Sequence, residues 1–183
     1  MTMDAEKTRI EGLRILTPRV FEDPRGYFFE SFNARVFEEA TGLRPRFVQD
    51  NESFSSEGVL RGLHYQVSQP QGKLVRVVAG EVFDVAVDLR RSSPTFGQWE
   101  GVKLSSANKR QFWIPVGFAH GFLVTSKTAV VAYKTTDYYS PQGERSIAWD
   151  DKDLSIEWPR SVIPMVSEKD QSASAFAAAD YFE

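Results

Sequence analysis

Short runs in which apolar side chains occupy every second position are the feature that most limits how this chain can fold. In "GEVFDVAVDLR" (residues 80–90), Phe83, Val85, Val87 and Leu89 share one face of an extended chain, and the residues between them share the other. This period of two predicts a β-strand. Further runs rich in β-branched and aromatic residues repeat it: "KLVRVVAG", "QWEGVKL", "RQFWIPVG", "HGFLVTS" and "KTAVVAYKTT".

Turn residues separate these runs, and helical signals are few. "QPQG", "RSSPTFG", "SSANK" and "YYSPQGE" are typical of turns. "NARVFEEATG" begins with a capping residue, Asn33, and ends with Gly42, which predicts one short helix. A second is expected within the C-terminal "KDQSASAFAAADYF". Many short strands with frequent turns favour an all-β antiparallel sandwich or barrel, and we expect residues 1–183 to form one domain.

Composition excludes several classes of site. The chain contains no cysteine, so disulfides, thiolate metal ligands and cysteine nucleophiles are absent. Its two histidines, His64 and His120, are far apart in sequence, which disfavours a histidine-rich metal site. The net charge of −3 argues against nonspecific nucleic-acid binding.

The same sequence gives no sign of membrane insertion or export. No apolar run approaches the ~20 residues that a membrane span needs. The N-terminal "MTMDAEKTRIEG" has neither the basic start nor the apolar core of a signal peptide. We therefore expect a cytoplasmic protein with no membrane partner.

The stretch "LRGLHYQ" places His64 between a glycine and an aromatic residue. A lone histidine is often a buried, hydrogen-bonded core residue. However, His64 and Lys73 flank the "QPQG" turn, and a hairpin there would place them opposite each other. A facing ammonium would keep the imidazole neutral, as a general base requires.

Aromatic and acidic residues elsewhere leave two alternatives open. In "VAYKTTDYY", alternation puts Tyr133 on the face of Ala129 and Val131, and Tyr138 and Tyr139 follow closely. These tyrosines could be strand and core residues, or a proton donor and a stacking platform. Asp84 could orient His120 of "GFAHGF", either as a structural pair or as part of a site.

Taken together, nine motifs resemble those of the dTDP-4-dehydrorhamnose 3,5-epimerase family. They occur in order along nearly the whole chain: "EDPRGYFFESF", "FVQDNES", "LRGLHYQ", "QGKLVRVVAGEVFDVAVDLR", "SPTFGQW", "FWIPVGFAHGF", "YKTTDYYSP", "IAWDDKDLSIEWP" and "SEKD". The resemblance implies a cupin-type jelly-roll β-barrel or sandwich with a few short peripheral helices. It also implies a homodimer with shared pockets that works without metal or other cofactor on a dTDP-sugar.

The resemblance assigns roles to individual residues. It implies His64 as the base, Asp170 as its dyad partner, Tyr133 as the acid and Lys73 as a cation near the ketone. A tyrosine of the "YY" pair stacks on thymine, and Tyr139 is favoured, although the sequence does not separate it from Tyr138. The substrate-binding positions implied are Arg25, Glu30, Gln49, Asp50, Asn51, Arg61, His120, Glu144 and Lys169.

Two questions remain open at this level. In a regular strand Arg61 and His64 face opposite sides, so either a bulge at Gly62 breaks the alternation or one of them serves a partner's pocket. The reaction implied is epimerisation at C3 and C5 beside the 4-ketone. The rivals are a single-carbon epimerase, a noncatalytic nucleotide-sugar binding module and a metal-dependent barrel enzyme.

Overall fold

The alternating runs form antiparallel strands in the computed structural model, which describes residues 2–183. The strands are β1 (Met3–Lys7), β2 (Arg14–Pro18), β3 (Phe21–Asp23), β4 (Gly26–Phe28), β5 (Gln49–Ser56), β6 (Leu60–Gln66), β7 (Lys73–Ala79), β8 (Glu81–Asp88), β9 (Trp99–Ser105), β10 (Gln111–Ile114), β11 (Phe118–Val124), β12 (Thr128–Thr135) and β13 (Glu144–Ser146). One sheet has six strands, ordered β1-β2-β10-β7-β12-β5, and another has five, ordered β13-β6-β11-β8-β9. A separate hairpin pairs β3 with β4.

The main apolar core lies between the six-stranded and the five-stranded sheet. The first contributes Val75, Phe112 and Val131, and the second contributes Val82 and Phe122. Because side chains from both sheets meet in one buried cluster, the sheets pack face to face as a sandwich. The predicted all-β class is therefore confirmed, in the form of a sandwich of sheets and not of a closed barrel over residues 2–183.

Strand β8 is buried on both of its faces. Val85 and Val87 point away from the sandwich interior and pack under the C-terminal segment, against Leu154 and Trp158. Ala86 points into the interior. The predicted alternation of β8 is confirmed, and the C-terminal segment covers the outer side of the five-stranded sheet.

The predicted N-terminal helix is confirmed as α1 (Ala34–Thr41). Asn33 caps it, since its side chain accepts hydrogen bonds from the first-turn amides, and Gly42 ends it with a φ of 74°. Near the C-terminus lie α2 (Glu168–Gln171) and a 3₁₀ turn (Phe176–Ala178). None of the helices within residues 2–183 has the length and apolarity to cross a membrane.

The expectation of a hairpin joining His64 to Lys73 is wrong. Strand β6 pairs with β11 and β13, whereas β7 pairs with β10 and β12 in the other sheet. The connection between them, residues 67–72, crosses from one sheet to the other and is longer than a tight hairpin turn. His64 and Lys73 therefore belong to opposite walls of the sandwich.

A β-bulge settles the orientation of Arg61. His64 pairs with His120 and Arg61 pairs with Phe122, so β6 carries one extra residue over this interval. Gly62 lies there with a φ of 132°, and a Cβ at this position would stand 2.5 Å from the Cα of Gly121. The bulge shifts the alternation so that Arg61 and His64 share one side of the strand.

Candidate active site

One end of the gap between the two sheets collects polar side chains from both walls. The five-stranded sheet contributes His64 on β6, His120 on β11 and Asp84 on β8. On the opposite wall, Lys73 on β7 alternates in phase with core residue Val75, and Tyr133 on β12 packs against the same core. Five residues that the sequence singles out thus line this gap from its two walls, although they come from five strands.

His64 forms a dyad with Asp170. Its Nε2 lies 2.6 Å from Oδ1 of Asp170, which the C-terminal helix α2 brings to β6. The Asp170 side chain is 4% exposed and that of His64 is 30% exposed, so the imidazole is the member of the pair that solvent reaches. Burial lowers the pKa of His64, as do the cations of Lys73 and Lys169, against the opposing effect of Asp170. The imidazole is therefore neutral at neutral pH.

His120 is paired with Asp84 in a more deeply buried position. Its Nε2 lies 2.9 Å and 3.0 Å from the two carboxylate oxygens of Asp84. The side chain of His120 is 8% exposed and that of Asp84 is fully buried. The two histidines therefore stand in register in adjacent strands, each with its own carboxylate.

The other wall supplies a cation and a phenol with shifted pKa values. Burial lowers the pKa of Lys73 to about 8, although the carboxylates of Asp84 and Glu144 act to raise it. Burial raises the pKa of Tyr133, and Arg61 acts in the opposite direction. At neutral pH the site thus contains an ammonium close to its titration point and a fully protonated phenol.

The mouth of the site is rimmed by a hydrogen-bonded group of side chains. The hydroxyl of Tyr139 donates to Oε2 of Glu144 at 2.7 Å, and Nζ of Lys169 lies 2.7 Å from the same oxygen. The Tyr139 amide donates to Oε1 of Gln49, whose own amide donates to Oδ1 of Asn51. Tyr139 remains more than half exposed, as does Tyr138. A flat ligand at this mouth would meet an aromatic ring.

Arg61 spans the gap beside the mouth. Its Nε donates to Oγ of Ser55 on β5, in the opposite sheet, at 3.1 Å, while the residue remains exposed. A guanidinium in this position can bind an anionic group, because it is tied down at Nε and open to solvent elsewhere.

Three residues predicted to line the site do not reach His64 of the same chain. Asp50 points to the outer face of its sheet, where Nζ of Lys134 donates to its carboxylate at 2.9 Å and 3.0 Å. Alternation along β5 explains this, since Gln49 and Asn51 on either side face inward. Arg25 lies in the β3–β4 hairpin, with 90% of its side chain exposed and an ion pair to Asp23. Glu30 accepts a hydrogen bond from Asn33 beside α1.

Sequence reasoning missed two polar residues that the structure places at the site. Ser55 holds Arg61, and Gln66 bonds the loop that carries Tyr138 and Tyr139. Gln66 follows His64 by two positions on the same strand, so alternation alone could have placed it on the same face. Among residues 2–183, no three His, Cys, Asp or Glu side chains are grouped so as to hold a metal ion.

Comparison with known proteins gives concordant matches. The family model of the dTDP-4-dehydrorhamnose 3,5-epimerases matches residues 7–178. A dTDP-4-dehydrorhamnose 3,5-epimerase of Pseudomonas aeruginosa is 60% identical over 180 residues, which cover 98% of this chain and 99% of that protein.

Solved structures agree with the sequence matches. The dTDP-6-deoxy-D-glucose-3,5-epimerase of Legionella pneumophila, in complex with dTDP-4-keto-L-rhamnose, has a TM-score of 0.94 and 57% identity, covering 97% of this chain and 95% of that one. A 3'-monoepimerase of Streptomyces bikiniensis, in complex with dTDP-quinovose, has a TM-score of 0.88 and 34% identity, covering 94% and 87%. The fold is thus shared by double and single epimerases.

Proposed function

The chain belongs to the dTDP-4-dehydrorhamnose 3,5-epimerase family of isomerases, and we propose that it inverts C3 and C5 of dTDP-4-dehydro-6-deoxy-D-glucose to give dTDP-4-dehydro-L-rhamnose. The observation that carries this proposal is the His64–Asp170 dyad, which faces Lys73 and Tyr133 across one gap. Inverting a carbon beside a ketone requires removal of a proton from one face and delivery of a proton to the other. The intermediate is an enolate, whose negative charge lies on the ketone oxygen.

His64 is the base in this proposal. It is neutral at neutral pH because burial and two nearby cations lower its pKa. Asp170 accepts a hydrogen bond from Nε2–H of His64, which orients the ring and leaves Nδ1 for the substrate, and its charge stabilises the imidazolium that forms. Proton removal at both C3 and C5 can use this one base if the sugar ring shifts between the two steps.

Lys73 stabilises the enolate. A cation beside the ketone oxygen favours the transition state over the ground state, because negative charge develops there only as the proton leaves. The partly buried position of Lys73 strengthens this effect, since charges interact more strongly when water is excluded.

Tyr133 returns the proton in this proposal. Its raised pKa keeps the phenol protonated at neutral pH, and it stands on the wall opposite His64. An acid on one wall and a base on the other is the arrangement that inversion needs, because addition to the second face changes the configuration.

Side chains at the mouth of the site bind the nucleotide part of the substrate in this proposal. Arg61 and Lys169 can bind the diphosphate through charge-assisted hydrogen bonds. Tyr139 is favoured over Tyr138 as the ring that stacks on thymine, because its hydroxyl and its amide are both held in place. Gln49, Asn51, His120 and Glu144 complete the substrate-binding set, and Asp84 orients His120.

Arg25 and Glu30 enter the proposal through a second copy of the chain. The β3–β4 hairpin is exposed along its length and carries Phe21, Tyr27 and Phe28 on its surface, in addition to Arg25. Exposed aromatic residues of this kind favour burial against a partner. We propose a homodimer in which this hairpin completes the partner's pocket. Asp50 is retained only as a neighbour of Gln49 and Asn51.

The proposal includes three broader assignments. Residues 1–183 form one domain of the cupin-type jelly-roll class, which the two facing sheets support. The reaction needs no metal or redox cofactor, because the ketone already acidifies both carbons and no electrons leave the substrate. A cytoplasmic location is compatible with the absence of cysteine.

The decisive experiment incubates the protein with dTDP-4-dehydro-6-deoxy-D-glucose in deuterated water and follows C3 and C5 by NMR. Deuterium entering both carbons, with inversion at both, is the expected result. Exchange at one carbon alone would establish the single-carbon rival, against which the lower identity of the Streptomyces bikiniensis 3'-monoepimerase argues. Binding without exchange would establish the noncatalytic rival, and activity that disappears with a chelator would establish the metal-dependent one.

A further inference from the structure

Gln66 makes hydrogen bonds that neither the dyad nor the substrate contacts account for. It ends strand β6, two residues after His64, and is 5% exposed. Its Nε2 donates to the carbonyl oxygen of Gln69 at 2.7 Å and to that of Tyr138 at 3.2 Å. Its Oε1 accepts from the amide of Ser140 at 3.0 Å. One buried amide therefore uses both of its donors and its acceptor on backbone groups.

Two of these bonds bracket Tyr139, because they join Gln66 to the residues immediately before and after it. The amide of Tyr139 itself donates to Gln49. Earlier in the same loop, the carbonyl of Asp137 accepts from Nε2 of Gln71 and from Oγ1 of Thr135, both at 2.9 Å. The backbone of residues 137–140 is thus held by side chains reaching in from three strands and a connection.

Apolar packing does not hold this loop. Tyr138 and Tyr139 are 58% and 53% exposed, so more than half of each residue is open to solvent. Loops with exposed side chains are usually mobile, and their order depends on bonds to their backbone. Gln66 and Thr135 are both buried, at 5% and 0% exposed, and Gln66 is the one that bonds the residues on either side of Tyr139.

We propose that Gln66 is a positioning residue for nucleotide recognition, which holds Tyr139 in the orientation that stacks on the thymine base. The proposal rests on the proposed function for the role of the Tyr139 ring. A stacking ring gains affinity only if it is ordered before the base arrives, because ordering it on binding would cost conformational entropy. Gln66 also ties this loop to the strand that bears His64, so nucleotide site and base share one rigid support.

The test compares binding of dTDP and of inorganic pyrophosphate by calorimetry in Gln66→Met, which keeps the side-chain volume and removes the amide. We expect the Kd for dTDP to rise about 5- to 100-fold, the range for loss of stacking on one aromatic ring, with the Kd for pyrophosphate unchanged. In turnover, KM should rise while kcat stays within about twofold. Equal losses for dTDP and pyrophosphate would overturn the proposal.

A double-mutant cycle separates positioning of Tyr139 from other effects. If Gln66 acts through that ring, Gln66→Met combined with Tyr139→Ala should bind dTDP no more weakly than Tyr139→Ala alone. Additive losses would show that Gln66 acts elsewhere. Gln66→Glu, which keeps the acceptor for Ser140 and loses both donors, gives a second variant if Gln66→Met does not fold, and the same two outcomes apply to it.

Ser126→Ala is the matched control, since Oγ of Ser126 also makes three backbone hydrogen bonds, to Glu81 and Thr128. Ser126 lies at the opposite end of β12 from Tyr133, and its loss should lower the Tm without changing the Kd for dTDP. Because dTDP binding needs no turnover, a wild-type protein that binds dTDP and does not epimerise would overturn the proposed function and leave this inference standing.

Discussion

His64 and His120 stand directly opposite each other in strands β6 and β11, and each imidazole is bonded to its own buried carboxylate. What distinguishes them is access: 30% of the His64 side chain is exposed, against 8% for His120. Two histidine–carboxylate pairs of the same chemistry thus differ in whether a substrate carbon can reach the ring. Because of this difference, substitutions at His64 and His120 test which histidine acts as the base.

His64→Asn should abolish solvent exchange at both C3 and C5, lowering each rate at least about 100-fold, because the other histidine of the gap, His120, is only 8% exposed. His120→Gln should keep exchange at both carbons and weaken substrate binding, since the glutamine amide can take the place of Nε2 beside Asp84. NMR in deuterated water measures both variants on the same substrate. Exchange that persists at either carbon in His64→Asn, at a rate near that of the wild type, would exclude His64 as the sole base.

The pH dependence of kcat/KM should be bell-shaped. The acidic limb reports His64, whose pKa burial lowers from its ordinary value near 6.5, so activity should persist to below that pH. The alkaline limb reports Lys73, whose pKa is about 8. As the pH rises through this value, the ammonium loses its proton and its charge, and the enolate loses its stabilising cation.

Lys73→Arg tests the alkaline limb, because guanidinium stays charged far above pH 8. The variant should lose absolute rate through altered geometry, and its alkaline limb should disappear from the range up to pH 9.5. An alkaline limb that stays near pH 8 in Lys73→Arg would assign that limb to another group. Circular dichroism at each pH checks that the fold persists across the range.

Local signals were sufficient for most of the strands and for α1. The strand β8 was predictable because alternation depends only on neighbouring residues, and α1 because Asn33 and Gly42 carry the capping chemistry themselves. The choice of partner for β6 was not predictable from these signals. The local sequence is compatible with a hairpin between β6 and β7. In the structure, the two strands lie in opposite sheets, and each buries apolar side chains in a core cluster.

Sequence periodicity predicts less of the site than of the fold. The His64–Asp170 contact joins residues far apart in sequence, and it depends on a parallel bridge between Val59 and Met165 that lays the C-terminal segment beside β6. No periodicity encodes such a contact, so Asp170 came only from the resemblance. The sequence left the bulge at Gly62 as one of two alternatives. The close approach of Gly62 to Gly121, which distinguishes them, is a tertiary contact that local sequence does not encode.

A shared pocket can be tested with defined heterodimers that carry different tags. One subunit bears Arg25→Ala and the other His64→Asn. If the hairpin of each chain serves its partner's pocket, one of the two pockets regains both residues, and the heterodimer should show about half of wild-type activity although each parent homodimer is nearly inactive.

The reciprocal heterodimer provides the control for this experiment. It joins a wild-type subunit to one that carries both substitutions, and it should be nearly inactive if pockets are shared, because each pocket then lacks one residue. If each pocket lies within one chain, the outcome is reversed: the heterodimer with the wild-type subunit keeps about half of the activity, and the heterodimer of two single variants is nearly inactive. A fully active monomer in light scattering would also contradict the shared-pocket proposal.

Tyr133 allows the sharpest separation of roles within the reaction. It faces the gap from β12, on the wall opposite the dyad, and its pKa is raised by burial. Removing a proton requires the His64–Asp170 pair and the Lys73 cation, all of which remain when the phenolic hydroxyl is deleted. Returning a proton to the other face requires the hydroxyl itself. Loss of the hydroxyl should therefore affect inversion far more than exchange.

Tyr133→Phe keeps the ring and its packing and removes only the proton donor. Net epimerisation should fall about 10²–10⁴-fold, the range for loss of a general acid. Exchange of substrate hydrogen with solvent should be largely retained, because His64 still removes the proton and then returns solvent-derived deuterium to the face from which it came. Both rates are measured on the same sample by NMR in deuterated water. Equal losses in exchange and epimerisation would show that Tyr133 is needed for deprotonation, and would reverse its assignment as the acid.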